Sequence, residues 1–278
     1  MKNTSWLARL ARVVAATRVA YGQAISVELS YRFALAQSFF GIAISLAGLL
    51  LFWLAAARAA VSPTYPEHLI VGYFTLTAVH RILHENRVSF NVSASIRLGK
   101  LSAAMLRPYP FLLTVMAQAA AHATVRIAII APILIALAAA LDPLAKIART
   151  VGWQELALYT LALLLSFAAG WLIQITVGLL AFQMTQTWGP DLIFHSIYAV
   201  ASGGVYPPDL LPPFWHALAA WTPVYYMIAF PALVLLGRVQ GAELCAGLVR
   251  GAIVTAVTAA VVTVMWRRGI RRFEAIGI

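Results

Sequence analysis

Hydrophobic and polar positions divide the chain into long apolar blocks separated by short polar segments. Residues 33–57 carry no charged side chain, and a helix of that length crosses the roughly 30 Å hydrocarbon core of a bilayer. Further apolar blocks lie at residues 68–84, 111–140, 155–182, 190–204 and 247–266. The pattern predicts an all-α polytopic membrane protein with six transmembrane helices over residues 33–278.

Residues 1–32 are amphipathic rather than apolar. An aromatic and aliphatic stripe recurs at helical spacing, while four bases lie largely off that stripe (Trp6, Leu10, Val13, Val14 and Tyr21 against Lys2, Arg9, Arg12 and Arg18). A basic helix of this kind lies in the interface of an anionic leaflet. We therefore expect a cytoplasmic N-terminal amphipathic helix, and packing against a partner protein is compatible with that position.

Residues 205–237 are too interrupted for a simple crossing. The run V-Y-P-P-D-L-L-P-P-F-W at 205–215 contains four prolines, and Pro223 and Pro231 follow. Proline breaks a regular helix, and broken backbone at membrane depth must be covered by protein or line a cavity. We expect short re-entrant helices on the outer face, between the fifth and sixth spans. A proline-kinked crossing is the alternative.

Composition supports the membrane assignment. The chain is 62% hydrophobic and 10% charged, whereas soluble domains are about 25% charged. The net charge of +11 would suggest nucleic acid on a soluble protein. Here the bases flank apolar blocks, so the cytoplasmic bias of Lys and Arg explains them better. We expect membrane lipid and no nucleic acid as a partner.

The distribution of bases predicts the orientation. Segments 2–32, 81–107 and 267–272 hold five, five and four Lys and Arg residues, whereas the connections on the other side hold five in all. Lys and Arg favour the cytoplasmic side. Both termini and the basic segment 85–110 are therefore predicted to be cytoplasmic, which requires an even number of crossings.

The sequence contains no recognisable catalytic motif. It lacks a phosphate-binding loop, an H-E-x-x-H motif and a nucleophile elbow, and its nine acids are scattered. His80 and His84 have the i, i+4 spacing of metal ligands, but the sequence offers no third ligand. We interpret them, with Arg81, as the polar end of the second span where it enters the basic loop. We predict that the chain is not an enzyme and binds no metal.

Two further features are candidate sites. His122 and Arg126 share one face of the third span, where a charge is costly and usually faces a bundle interior or cavity. They are candidates for the pathway or a subunit interface. The alternative for Arg126 is a structural pair with an acid such as Asp191 or Glu155.

The apolar residues of segment 85–110, Val88, Val92, Ile96 and Leu98, need a groove, and its bases need acids or lipid phosphates. The alternative is that segment 85–110 rests on the anionic leaflet of the membrane.

Three motifs, in their order and spacing, resemble the ABC-2-type export permeases. The first is I-R-L-G-K-L-S-A-A-M-L-R-P at 96–108, with Lys100 where the family pattern has an acid. The second is the Gly-Gly, proline and aromatic run at 203–215 with the aromatic stretch after it, similar to the family's outer re-entrant helices. The third is the tail R-R-F-E-A-I-G.

The resemblance implies the membrane-spanning permease of an ATP-driven exporter in the bacterial inner membrane. It implies two soluble ATPase subunits that hold ATP and Mg, a second permease chain, identical or paralogous, and no cofactor on this chain. Segment 85–110 would couple hydrolysis to export of an amphipathic or hydrophobic substrate through Arg97, Gly99, Lys100, Leu101, Leu106, Arg107 and Pro108. The candidate pathway or interface residues are Arg126, His122, Trp221, Tyr225 and Tyr226.

Two other classes of function compete with the exporter. An ion-coupled secondary transporter would need ionisable groups along a buried path, for which the sequence offers only Arg126, His122 and Asp191. A structural or assembly protein would show no substrate-stimulated ATPase with any partner. A neighbouring gene for a soluble ATPase would favour the exporter.

Overall fold

The described part of the chain is helical. A computed structural model describes residues 4–59, 66–84, 87–107, 109–139 and 152–273, and within these ranges it contains no strand. The helices, in chain order, are α1 Thr4–Ser30, α2 Arg32–Arg58, α3 Glu67–His84, α4 Val88–Arg97, α5 Lys100–Met105, α6 Phe111–Ala139, α7 Trp153–Leu179, α8 Trp188–Ala201, α9 Pro213–Ala219, α10 Pro223–Met227, α11 Ala229–Leu235 and α12 Gly241–Arg272. The all-α prediction is confirmed. Two 3₁₀ turns, Leu180–Phe182 and Pro208–Leu210, complete the description.

Within the described residues, four helices are long and apolar enough to cross a membrane. They are α2, α6, α7 with its 3₁₀ extension, and α12. Helix α3 has 18 residues but is too polar. Helix α8 has 14 residues, which at 1.5 Å per residue is about 21 Å. Two of the six predicted spans therefore lack the length or composition of a simple crossing. Helix α12 is longer than predicted because its helix continues through the basic residues to Arg272.

Proline and glycine set the breaks in the 202–237 region. Helix α8 is followed by Gly203, whose φ of +77° suits a residue without a Cβ. Helices α9 and α10 each have proline at the first position, where its missing N–H is not needed. The break between α10 and α11 falls at Ile228, with φ −129° and ψ −60°. These three short helices do not form one continuous span.

The main core lies where α3, α6 and α7 meet the short helices α10 and α11. Tyr73, Phe74, Tyr226 and Phe230 are among its largest fully buried side chains. Two glycines of α12 admit the aromatic rings, because an added Cβ would lie 2.5 Å from Phe230 at Gly247 and 2.6 Å from Tyr226 at Gly251. Tyr226 and Phe230 of the interrupted region thus belong to the centre of the bundle, whereas Phe214 and Trp215 of the same region are exposed.

Helices α3 and α4 follow α6 in succession, in the antiparallel sense. Residues of α3 such as Phe74 share a core cluster with Ile130 and Leu134 of α6. Residues of α4 such as Val92 share the next cluster with Val115 and Ala119, nearer the start of α6. The first half of the predicted cytoplasmic loop is therefore packed inside the bundle, as a continuation of the second span.

Helix α1 packs along α6 of its own chain. The Tyr21 hydroxyl donates to Thr124 Oγ1 at 2.9 Å, and Glu28 reaches two further residues of α6. One side of α1 is therefore in contact with α6 of the same chain.

Candidate functional site

The apolar side chains of α4 already occupy a groove within this chain. Val88, Val92 and Ile96 are 1%, 0% and 5% exposed and pack with residues of α6 and α7. Gly178 of α7 allows this approach, because a Cβ there would lie 2.7 Å from Val92 Cβ and 2.8 Å from the Ser89 carbonyl oxygen. The groove expected for these residues is therefore supplied by this chain for all but Leu98, which is 55% exposed.

Polar contacts join α4 to the start of α8. Ser89 donates to Asp191 Oδ1 at 2.7 Å, Thr187 donates to Ser93 Oγ at 3.2 Å, and Arg97 donates to the Thr185 carbonyl at 3.4 Å. A displacement of α4 therefore acts on α7 through packing and on α8 through hydrogen bonds.

The predicted coupling residues continue at the turn after α4. Gly99 has a φ of +68°, so the helix breaks at a residue whose missing Cβ suits that conformation. Leu101 then turns inward and is 0% exposed, whereas Met105 and Leu106 are 46% and 89% exposed. We call the exposed set Leu98, Lys100, Met105, Leu106 and Arg107 the α5 surface.

Bases surround the apolar part of the α5 surface. Lys100 and Arg107 line a groove of about 750 Å³ between α4, α5 and the start of α6, and Arg107 donates to the Tyr109 hydroxyl at 3.3 Å. Arg97 lines a second cavity of about 460 Å³ with Arg272 at the end of α12. The combination of exposed leucine and nearby bases suits an apolar contact bordered by acids. Pro108, the last predicted coupling residue, lies outside the described residues.

Arg126 and His122 form one cluster with Glu28 of α1. Arg126 Nε lies 3.0 Å from Glu28 Oε1 and His122 Nδ1 lies 2.8 Å from Glu28 Oε2, with all three side chains at most 20% exposed. Arg126 also donates to Ser38 Oγ of α2. A structural pair is thus present, but the acid is Glu28 rather than Asp191 or Glu155.

The Glu28 cluster lies toward the N-terminal end of α2. Ser38 is six residues after the start of α2, about 9 Å along the helix. Arg126 and His122 line a cavity of about 690 Å³ that also includes Arg87 and Gln118. Sequence reasoning missed Glu28 because it assigned α1 to the lipid interface; a lone acid on a basic helix was the available signal.

Trp221, Tyr225 and Tyr226 lie together, apart from the Glu28 cluster. Tyr225 and Tyr226 are 4% and 0% exposed, and the Tyr226 hydroxyl donates to the Ala220 carbonyl at 2.9 Å. Trp221 is 57% exposed and lies under the Arg250 guanidinium at 5.7 Å. They line a cavity of about 270 Å³. The two tyrosines are core residues, and only Trp221 presents a large surface.

His80 and His84 lie inside the bundle rather than at a polar end. His80 Nε2 is 2.9 Å from the Tyr159 hydroxyl, and His84 Nε2 is 2.8 Å from Ser166 Oγ and 3.0 Å from the Met227 carbonyl. Their exposure is 0% and 5%, because α7 and α10 pack against them. Among the described residues no three His, Cys, Asp or Glu side chains are grouped as metal ligands. The histidines connect α3 to α7 and α10.

These features define the class of protein. An all-helical chain with four helices fit to cross a membrane, and with polar side chains buried between them, is a multi-pass membrane protein. The chain belongs to the ABC-2 family of transporter proteins, whose model matches residues 63–277. It is therefore a membrane subunit of the ABC transporter class, in which this type of chain transports and does not catalyse.

The match does not extend over the whole chain. It leaves α1 and α2 outside, whereas all three motifs of the resemblance fall within it. No curated protein matches the sequence. Members of this family usually work with ABC ATPases.

Proposed function

We propose that this chain is the permease of a bacterial ABC exporter, driven by ATP hydrolysis on two separate ATPase subunits. ATP and Mg are held by those subunits, and this chain binds no cofactor. It pairs with a second permease chain and moves an amphipathic or hydrophobic substrate out of the cytoplasm by alternating access. Family membership supports the transporter class, and the apolar bundle supports the substrate type.

The proposed topology has six crossings of the plasma membrane, with both termini in the cytoplasm. Helices α3 and α4 together form the second crossing, since they follow α6 in succession. Helix α8 and the extended residues after it form the fifth. Helices α9 to α11 enter from the outer face and return. The bases at the end of α12 support the cytoplasmic side.

The α5 surface is the observation that carries the proposal. Leu106 is 89% exposed and is followed in the chain by Arg107, which lines a groove together with Lys100 and Leu98. A hydrophobic anchor ringed by charges is typical of a protein interface. Since positively charged groups repel one another, the partner surface should be apolar with acidic neighbours. This is the surface on which we place the ATPase.

Leu101 makes α5 a rigid extension of the bundle. Its fully buried side chain packs in the cluster that includes Val92 of α4 and Ile175 of α7. A force on the α5 surface is therefore transferred to α4, and from α4 to α7 and α8 through the contacts described above. Movement of the docked ATPases would reposition these helices and switch access.

The test is substitution of Leu106 in the complete complex. Leu106→Asp should abolish co-purification with the ATPase encoded beside this gene, or uncouple its hydrolysis from transport, because a carboxylate cannot replace the apolar anchor. Leu218→Asp is the matched control, since Leu218 is a half-exposed leucine of α9 on the proposed outer face. Normal transport by Leu106→Asp would contradict the proposal.

A further inference from the structure

We propose that Arg81 binds the anionic group of an amphipathic substrate halfway across the membrane. The inference rests on the proposed function, which it deepens by naming the charge of the substrate. Arg81 lies on α3 between His80 and His84 but contacts different elements. The histidines reach α7 and α10, whereas Arg81 reaches α2 and the loop after α8.

The contact with α2 indicates how deep Arg81 lies in the membrane. Its Nη1 donates to Ser45 Oγ at 3.3 Å. Ser45 is the middle residue of α2, Arg32–Arg58, and lies about 20 Å from either end. Between those terminal arginines α2 has no charged side chain. The guanidinium therefore lies near the midplane, where an ionised group is costly and usually marks a functional site.

No acidic side chain among the described residues pairs with Arg81. Its second contact is Nη2 to the Gly204 carbonyl at 3.4 Å, and its buried Nε has no hydrogen-bond partner in the described part of the chain. Arg58, Arg126 and Arg238, in contrast, each pair with a carboxylate at 2.9 to 3.0 Å. Because arginine stays protonated, Arg81 brings an unbalanced positive charge into the bundle.

The present contacts leave capacity for an anion. Hydrogen bonds from arginine to a charged oxygen are usually about 2.7–2.9 Å long. The two contacts of Arg81 are to neutral oxygens and, at 3.3 and 3.4 Å, are longer than that. A planar guanidinium with five donors is suited to two oxygens of one phosphate, sulfate or carboxylate. The residues next in sequence to its two partners, Ile44 beside Ser45 and Val205 beside Gly204, are apolar and 71% and 42% exposed. They suit the apolar part of the same molecule.

Binding to the permease alone tests the inference. The full-length chain in phosphatidylcholine nanodiscs is titrated with decyl phosphate, decyltrimethylammonium and inorganic phosphate, and binding to empty nanodiscs is subtracted. We expect decyl phosphate to bind at least about tenfold tighter than either of the others, the gain of one charge-assisted contact. Equal binding of the cationic probe, or of inorganic phosphate, would overturn the inference.

Variants then assign the effect to Arg81. Arg81→Gln should lose the preference for decyl phosphate, and Arg81→Lys should keep part of it. Arg58→Gln is the matched control, because Arg58 is an exposed arginine at the end of α2, and it should bind as the parent does. An unchanged preference in Arg81→Gln would overturn the proposal.

Two further variants cover misfolding and a hidden counter-charge. Gly204→Ala is the variant to use if Arg81→Gln fails to fold. It keeps the charge but places a Cβ 3.1 Å from Arg81 Nη2, so it should weaken decyl phosphate binding. Glu85, the nearest acid in sequence, lies outside the described residues. Glu85→Gln should change the affinity less than about threefold, and a gain of tenfold or more would mean that Glu85 occupies Arg81 and would overturn the proposal.

The outcome is distinct from that of the proposed function. No ATPase is needed for these titrations. Selective binding without any co-purifying ATPase would contradict the exporter but leave the anion site, whereas an ATPase complex without selective binding would contradict only the anion site.

Discussion

Leu101 and Leu106 lie five positions apart and have opposite environments, fully buried and 89% exposed. Both were predicted as coupling residues, because the sequence motif contains both. A leucine in a motif does not show whether it packs inward or outward. That distinction depends on the neighbouring helices, here α6 and α7, which are distant in sequence.

The two leucines should therefore respond differently to truncation. Leu101→Ala should lower the unfolding free energy by about 2–5 kcal/mol, since it leaves a cavity. Leu106→Ala should change it by less than about 0.5 kcal/mol, as at other exposed positions, while weakening ATPase binding. Thermal unfolding of the detergent-solubilised chain and co-purification measure the two effects. Equal unfolding temperatures for the two variants would contradict the assignment.

The Glu28 cluster should behave as a coupled unit. Glu28→Gln leaves Arg126 and His122 without their acid, at a cost of about 1–3 kcal/mol for poorly satisfied, partly buried groups. The double variant Glu28→Gln with Arg126→Gln should be less destabilised than the sum of the two single changes, because neither charge remains. Unfolding midpoints of the four proteins of this cycle give the coupling. Strict additivity would show that the pair is not energetically linked.

At the scale of helices, close contact between α4 and α7 depends on Gly178. Gly178→Ala places a Cβ 2.7 Å from Val92 Cβ and 2.8 Å from a backbone oxygen, and overpacking of this kind costs about 1–3 kcal/mol. Gly48→Ala on α2 is the matched control, because nothing lies within 4 Å of that position. We expect a lower unfolding temperature for the first variant only. Similar temperatures would contradict the packing of α4.

The elements were predictable to different degrees. The uncharged run of α2 and the interruptions at Pro213 and Pro223 follow from local chemistry, and the sequence alone indicated them. The position of α4 could not be predicted from local chemistry, because Ser89, Asn91 and Ser93 are typical of a polar loop. Its burial depends on Gly178 and Asp191, which are about ninety to one hundred residues away.

At the scale of the molecule, the topology can be measured directly. Asp209 and Arg238 form a salt bridge of 3.0 Å, so they must lie on the same side. In a Cys245→Ser background, which removes the exposed native cysteine, Arg238→Cys should react with a membrane-impermeant maleimide on intact cells. Arg107→Cys should react only after the membrane is opened. Labelling of Arg238→Cys only after opening would contradict the six-crossing topology.

The pairing of Glu28 with Arg126 has a consequence for biosynthesis. The two residues are 98 positions apart, which a ribosome covers in about 5–20 s. Glu28 is made first, whereas Arg126 must later enter the bilayer, where a charged side chain within a span is costly. We therefore expect α1 to present the counter-charge by the time α6, the helix that needs it, is inserted.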